Sequence, residues 1–417
     1  MTSTPPKTKP SYGALFRNRS FSYLWVGQLI SQSGDAVFDV ALLWLVLVTT
    51  GSTALVGLTQ AAVLLPAVLV SPFAGVYADR TNRRTVMVVS SLFQGIVTLA
   101  VSLLYAADSL DFSFLILLVL LLYAGAQFYR AASGAIIPSI VSRENLGAAN
   151  GLFSLSQSFN QLLGYSIGGI VILALGPEVP ITYDSLTFFV AALMMLLIAK
   201  SYGMPRADPT SSAGKSSFTR DFKEGMGFVR RSRIFLQLIF FGLVINFFAS
   251  ALTALLAPYA KFWVHGDAST YGFLSAAFAL GMIVGSVLVG RVNFRSYVGK
   301  LLFFGVMAFG ALFALVGFVT TVPVALALFA AMGVVLAVVN VPINALVQTQ
   351  VPNEMLGRAG TALTASLTAA QPIASVLAGV LAAFFSIGSV IIACGVAVGA
   401  VAVVLFPFFR ELRDARY

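Results

Sequence analysis

The chain has 417 residues, of which 59% are hydrophobic and only 10% are charged, with a net charge of +10. A soluble protein carries about 25% charged residues, so this composition excludes a soluble globular protein. Apolar runs of about 20 residues, each long enough to cross a bilayer, recur from Phe21 to Phe409. They predict an all-α polytopic membrane protein with twelve transmembrane helices in two six-helix, pseudo-symmetric bundles.

The apolar runs and the basic residues together predict the topology. The spans are predicted at residues 21–48, 53–77, 85–107, 112–138, 149–175, 181–202, 234–262, 268–290, 298–320, 322–350, 357–385 and 387–409. Only Lys261 lies in or next to a loop on one side and only Arg130 lies in the interior of a span, while every other lysine and arginine lies in a loop or at a span end on the opposite side. The positive-inside rule then places both termini in the cytoplasm of a multi-pass protein of the cytoplasmic (inner) membrane. No apolar run precedes Phe21, so no cleaved signal peptide is expected.

The first span carries four polar residues at helical spacing. Gln28, Gln32, Asp35 and Asp39 lie in "GQLISQSGDAVFDVALLWLVLV" (27–48) on one face of a helix. An aspartate near the middle of a span costs about 2.5–3.5 kcal/mol, so two aspartates that face lipid are implausible. This face must therefore meet a cavity, a partner side chain or a proton.

The loop after the second span reads "GVYADRTNRR" (75–84). Its residues Gly75, Asp79, Arg80, Arg83 and Arg84 resemble the G-x-x-x-D-R-x-x-R-R motif of the major facilitator superfamily. The segments "FRNRSFSYLWVGQLISQSGD", "ITYDSLTFFVAAL" and "DFKEGMGFVRR" resemble the branch of macrolide efflux proteins and enterobactin exporters. The resemblance implies that the motif is a cytoplasmic latch that breaks when a transporter changes state. Plain topogenic charge explains the arginines but leaves Asp79 unexplained.

Polar residues recur in later spans. They are Gln127, Arg130, Gln157, Asn160, Gln161, Asn246, Asn340, Asn344 and Gln371. Each alone could join two helices, a contribution of under about 2 kcal/mol. Together they predict polar inner faces around a central cavity, where the resemblance implies that substrate binds between the halves. In the fifth span, "GYSIGG" (164–169) resembles an exporter motif, with Tyr165 in place of its proline, and its glycines predict close helix approach.

An internal repeat divides the chain. "VSRENLGAANGL" (141–152) matches "VPNEMLGRAGTA" (351–362) in several positions, which predicts two halves of six spans in parallel orientation. The predicted domains are a cytoplasmic tail (1–20), a first bundle (21–202), a linker (203–233), a second bundle (234–409) and a second tail (410–417). The end of the linker, from Phe218 to Arg231, has the spacing of a short helix on the membrane surface, or it is a solvated linker.

The two aspartates of the first span are the predicted proton-coupling residues. A carboxyl group in apolar surroundings binds a proton more readily, so it can exchange that proton for a cationic substrate. Asp39 is preferred, because the family-like "SQSGD" gives Asp35 an architectural explanation, such as a pair with Arg130. Asp184 is expected to be a helix-cap or interface residue.

The function predicted from these residues is secondary active transport. The chain has no G-x-x-x-x-G-K-[ST] loop for ATP, no metal-site cluster and no nucleophile motif, so we expect neither an enzyme nor a cofactor. The predicted protein is a monomeric, proton-coupled exporter of amphiphilic drugs such as macrolides that works by alternating access. Its expected partners are the drug, protons and membrane lipids. The alternatives are an exporter of a siderophore or a lysophospholipid (a lipid flippase), and a non-transporting membrane sensor or a scramblase. The basic residues are topogenic, so nucleic acid is not an expected partner.

Overall fold

The computed structural model describes residues 12–204, 218–291, 297–352 and 356–415, and this part of the chain contains helices but no strand. The helices before the linker are α1 (Tyr12–Arg17), α2 (Arg19–Thr50), α3 (Thr53–Leu69), α4 (Ser71–Arg80), α5 (Arg83–Ala106), α6 (Phe112–Ile140), α7 (Leu146–Leu175) and α8 (Glu178–Leu196). Those after it are α9 (Phe218–Arg231), α10 (Arg233–Pro258), α11 (Ala268–Arg291), α12 (Val298–Val316), α13 (Val322–Gln350), α14 (Leu356–Thr368), α15 (Gln371–Phe384), α16 (Ile387–Leu405) and α17 (Arg410–Arg413). A π-helical turn, Tyr259–Trp263, extends α10.

The fold class predicted from the sequence is confirmed. Within the described ranges, eleven helical segments are long and apolar enough to cross a membrane, and the bent pair α3 and α4 makes a twelfth. Helices α2 to α8 form one bundle, and α10 to α16 form the other. The domain boundaries stay a prediction. Within the predicted domains, residues 1–11, 205–217, 292–296, 353–355 and 416–417 lie outside the described residues. Helix α9 does form at the end of the linker, whereas its position on a membrane surface stays a prediction.

Two predicted spans are broken rather than straight. The second span bends by 44° between α3 and α4, with Pro66 inside α3 and Pro72 at the start of α4. The eleventh span is interrupted between α14 and α15, just before Pro372. Proline lacks the N–H that the helix ladder needs and its ring clashes with the carbonyl four residues earlier, which accounts for a break at both places.

The two bundles touch along the pairs α3/α15 and α7/α11. A Cβ atom added to Gly57 would lie 2.9 Å from the Cα of Gly379, and one added to Gly272 would lie 3.0 Å from the Cα of Gly169. The Thr53 hydroxyl also donates a hydrogen bond to the Gly379 carbonyl at 2.9 Å. All these residues lie toward the membrane side that carries the α2–α3 connection, which we call the distal side. Backbone contact between the bundles therefore closes the distal side.

Aromatic side chains add a second contact between the bundles on the distal side. The rings of Trp44 (α2) and Tyr271 (α11) stack with centroids 6.4 Å apart and an interplanar angle of 17°. The Lys261 ammonium lies 5.9 Å from the centroid of the Trp44 ring, within reach of a cation–π contact. These contacts complete the distal closure.

Candidate functional site: the central cavity

A cavity of about 540 Å³ lies between the bundles, beneath the distal closure. Its walls are mainly apolar, with aromatic rings from Phe278, Phe309 and Phe329 on the second bundle. Its polar residues are Asp39, Gln60, Tyr123, Ser158, Gln161, Tyr165, Ser250, Thr253, Tyr271, Ser275 and Gln371. A volume of this size, with apolar walls and few polar groups, suits a drug-sized ligand.

Asp39 is the acidic residue of this cavity, since no other lining residue among those the structure describes carries a charge. The Tyr123 hydroxyl on α6 donates a hydrogen bond of 2.5 Å to Asp39 Oδ1. Asp39 itself is half-buried. The helix therefore presents one carboxyl group, held by one tyrosine, to an otherwise uncharged chamber.

Asp35 and Arg130 lie nearer the membrane side where α2 begins, which we call the terminal side. Both residues are exposed, and neither lines the central cavity. Within the described ranges they form no ion pair with each other, although both aspartates are close enough to Arg130 to interact with its charge. The pairing that the sequence offered as an explanation of Asp35 is not formed in this conformation.

The remaining predicted cavity residues have different surroundings. Gln161 and Gln371 line the chamber, and Gln371 donates a 3.0 Å hydrogen bond to Asn246 Oδ1. Gln28, Gln127 and Asn160 are buried and bond to neighbouring groups instead: Gln28 to Ser133 across α2 and α6, Gln127 to the Tyr123 carbonyl, and Asn160 to the Leu29 carbonyl. Gln32 is half-buried, and its Oε1 has no hydrogen-bond partner.

Exposed polar residues indicate which side of the cavity is open. Gln157, Asn340 and Asn344 are exposed, as are Asp35 and Arg130, and all of them lie on the terminal side of the chamber. A polar residue inside a span is costly unless it meets water or a partner. We interpret this arrangement as a cavity that opens toward the terminal side and is closed on the distal side.

The latch motif lies on the terminal side, at the connection between α4 and α5. Asp79 and Arg80 are exposed, and Asp79 has no hydrogen bond or ion pair with any described residue. Arg83 donates to the Ala135 carbonyl at 3.0 Å, and Arg84 donates to the carbonyls of Met195 and Leu196 at the end of α8, where a cation is favoured by the helix dipole. The arginines thus fasten α5 to α6 and α8, while the aspartate is unengaged. A Cβ atom on Gly75 would meet nothing within 4 Å.

Several residues of the site were missed by the sequence reasoning. Tyr123 lies four residues before Gln127 and seven before Arg130 on α6, so the helical stripe that identified those two could have included it. The glycines of "GYSIGG" do allow close approach, because a Cβ on Gly164 would lie 2.5 Å from the Cβ of Ala36. Tyr271 carried no signal in the sequence, since its role depends on a ring of the other bundle.

The fold and the cavity define a multi-pass membrane transporter rather than an enzyme. The chain belongs to the transmembrane secretion effector family of the major facilitator superfamily, whose family model matches residues 11–415. The resemblance stated from the latch motif is thereby confirmed.

Curated relatives include transporters with named substrates. The chain is 26% identical to the multidrug efflux pump Tap of Mycobacterium tuberculosis over 81% of each chain. It is 21% identical to macrolide efflux protein A of Streptococcus pyogenes over 65% of this chain and 66% of that protein. It is 25% identical to the uncharacterized transporter YvqJ of Bacillus subtilis over 81% of this chain and 79% of that protein.

Solved structures share the fold at low identity. A bacterial homologue of the human lysosomal transporter Spinster, inward-facing and unoccupied, superposes with a TM-score of 0.75 at 15% identity, covering 100% of this chain and 99% of that one. The nucleoside transporter NupG gives a TM-score of 0.72 at 12% identity, covering 95% and 99%. At these identities the likeness extends to the fold alone.

Proposed function

We propose that this transporter exports an amphiphilic, cationic drug such as a macrolide in exchange for protons, by alternating access. The observation that carries the proposal is Asp39, a single carboxyl group in the wall of an apolar chamber, with Tyr123 as its hydrogen-bond donor. A cationic amine would bind at the carboxylate, and the aromatic and aliphatic walls would cover the rest of the molecule.

Proton exchange follows because the cationic drug and the proton compete for one carboxyl group, that of Asp39. In a mainly apolar cavity, either a charged amine or a proton neutralises the carboxylate, and the neutralised group no longer attracts the other cation. Substrate that arrives at Asp39 would therefore release the proton, and a new proton would release the substrate. This competition couples the two fluxes without any cofactor.

The conformation supports alternating access. By the positive-inside rule the terminal side is the cytoplasmic side, so the described conformation faces inward with the distal side closed. An exporter takes up its substrate in this conformation. The unengaged Asp79 fits the same state, because the proposed latch would form when the cytoplasmic side closes.

The relatives support a drug as the substrate. Two of them are named for macrolide efflux and multidrug efflux, and the chamber described here has the size and apolar walls that such molecules need.

The test uses purified protein in proteoliposomes with an imposed pH gradient and a macrolide that carries an amine. The parent should accumulate the drug against its gradient, and Asp39→Asn should lose this uphill transport while keeping part of the downhill exchange. Asp108→Asn is the matched control, because Asp108 is exposed in a loop and its φ of 50° is one that asparagine adopts readily.

Two results would overturn the proposal. If Asp39→Asn accumulates the drug uphill at the parental rate, the Asp39 carboxyl group is not needed for coupled transport. If accumulation by the parent does not respond to the pH gradient, transport is not coupled to protons.

A second substrate class is favoured by one observation. Arg130 is exposed on the terminal side and has no ion pair with a described residue, so its guanidinium is available to bind the phosphate of a lysophospholipid. Under this alternative, Arg130→Gln should abolish transport of a lysophospholipid, whereas Asp39→Asn should leave it intact. The same proteoliposomes distinguish the two candidates.

A further inference from the structure

Asp184 is a buried acid that the proposed exchange at Asp39 does not use. No part of its surface is exposed. Its Oδ1 accepts one long hydrogen bond, 3.4 Å, from the Thr187 hydroxyl, which also donates to the Asp184 carbonyl at 2.7 Å. Its Oδ2 has no hydrogen-bond partner in the described part of the chain.

The carboxyl group of Asp184 lies where α8 crosses α2. A Cβ atom added to Gly34 would lie 2.5 Å from Asp184 Oδ1 and 3.1 Å from its Cα. The glycine therefore lets the two helices approach until the carboxyl group packs against the backbone of α2. Asp184 does not line the chamber that Asp39 faces. It is an interface residue, as expected from the sequence, but one with an unsatisfied acid.

Among the described residues, no lysine or arginine forms an ion pair with the Asp184 carboxyl group. The charged or titratable groups that act on it are Asp35 and Asp39 of α2 and Tyr123 of α6. An ionised carboxylate buried without a cation and with one weak donor is far costlier than the neutral acid. The geometry thus favours a carboxylic acid at this position.

We propose that Asp184 is a second proton-binding site, which holds a proton at the α2–α8 crossing and out of contact with the cavity. The proton stays bound while the two helices pack together around Gly34. Its ligand is a proton alone, since the described residues contain no cluster of side chains able to hold a metal ion.

The held proton sets the charge at the exchange site, a consequence that rests on the proposed proton coupling. With Asp184 neutral, the carboxylates of Asp35 and Asp39 and the guanidinium of Arg130 leave one net negative charge. A single proton, or one monovalent cationic drug, then neutralises the site. An ionised Asp184 would leave two negative charges and call for two cations per cycle.

Infrared spectroscopy tests the proton directly, because a protonated carboxyl group has its own carbonyl stretching band. The sample is the full chain in lipid vesicles at about pH 8, well above the ordinary range of a carboxyl group. We expect the band in the parent, in Asp35→Asn and in Asp39→Asn, and its loss in Asp184→Asn. A band that survives in Asp184→Asn, or a parent without the band, would overturn the proposal.

A second variant keeps the acid and decides the matter if Asp184→Asn does not fold. Thr187→Val removes the one donor to the Asp184 carboxyl group, so the band should remain and change in frequency. The matched control is Thr182→Val on the same helix, whose hydroxyl bonds to Ser102 and to the Glu178 carbonyl; there the band should keep its frequency. A band that does not move in Thr187→Val would refute the assignment.

The two proposals fail in different ways. If transport proves independent of the pH gradient while the Asp184 band is present, the exchange at Asp39 is wrong and the proton at Asp184 stands. If transport depends on the gradient and Asp184→Asn leaves the band unchanged, only the second site is wrong.

Discussion

Replacing Gly57 by alanine should open the distal side of the transporter. The added Cβ would lie 2.5 Å from the Ser375 carbonyl oxygen and 2.9 Å from the Cα of Gly379. Both atoms belong to the backbone of α15, so a change of side-chain rotamer cannot relieve the contact. The clash can be relieved only by moving α3 away from α15, and those helices belong to different bundles.

The size of the effect follows from this geometry. Overpacking a close contact costs about 1–3 kcal/mol, and this cost falls on the conformation in which the distal side is closed. The conformation with that side open is not penalised, because its bundles are separated there. The ratio of open to closed molecules should therefore rise by about 5–150-fold.

Alkylation of a cavity cysteine measures this shift. Gln60 lines the chamber, so Gln60→Cys is introduced after the native cysteine is removed by Cys394→Ser. A membrane-impermeant maleimide added from the distal side should react faster when Gly57→Ala is also present. Gly134→Ala is the matched control, because a Cβ there meets nothing within 4 Å. Its alkylation rate should equal that of the protein that carries only Gln60→Cys and Cys394→Ser.

The reasoning would be refuted by a folded Gly57→Ala protein that reacts no faster than the control. Gly379→Ala approaches the same contact from the other bundle, since its Cβ would lie 2.5 Å from the Thr53 carbonyl oxygen. It should open the same side, and a slower reaction in either variant would show that the glycines do not hold the closure.

Three further predictions concern charged residues. Asp79→Asn should reduce transport more than drug binding or thermal stability, because Asp79 is unengaged in this state and the proposed latch forms in the other; equal transport by variant and parent would contradict the latch. Asp35→Asn should change the free energy of unfolding by no more than about 0.5 kcal/mol, since no ion pair with Arg130 is lost, and a large loss rescued by Arg130→Gln would contradict this. Partial burial raises the pKa of Asp267, but hydrogen bonds from the first turn of α11 outweigh it and hold the pKa below its usual value. Its stabilisation should thus be present above the usual aspartate range and disappear as the pH falls, and Asp267→Ala, compared in thermal melts across acidic pH, should lose this dependence.

The stripe on α2 shows how far a helical period can predict a site. The spacing of Gln28, Gln32, Asp35 and Asp39 correctly placed all four on one face, yet the structure gives them different surroundings. Asp39 faces the chamber, Asp35 is exposed nearer the terminal side, and Gln28 bonds to Ser133 on α6. A period identifies a face, whereas the neighbours along that face depend on where other helices cross it.

The bent second span and the buried Asp184 are two further features that the sequence did not predict fully. Pro66 and Pro72 were visible in the sequence, but the apolar run across them reads as one continuous span, because hydropathy is insensitive to backbone direction. Asp184 was assigned to an interface from its distance to the end of its span. That its oxygen lacks a partner could not be predicted, since this depends on the approach of α8 to Gly34.

What the sequence determined by itself was the fold class, the number of spans and the family. A segment in lipid must satisfy its own backbone hydrogen bonds, so apolar length alone predicts a spanning helix, and the latch motif is a local pattern. Only the tertiary structure decided which side of the cavity is closed, which acid faces the chamber and which acid is buried. Each of these depends on contacts between residues far apart in the chain, such as Gly57 with Gly379 or Tyr123 with Asp39. A local sequence pattern does not predict such contacts.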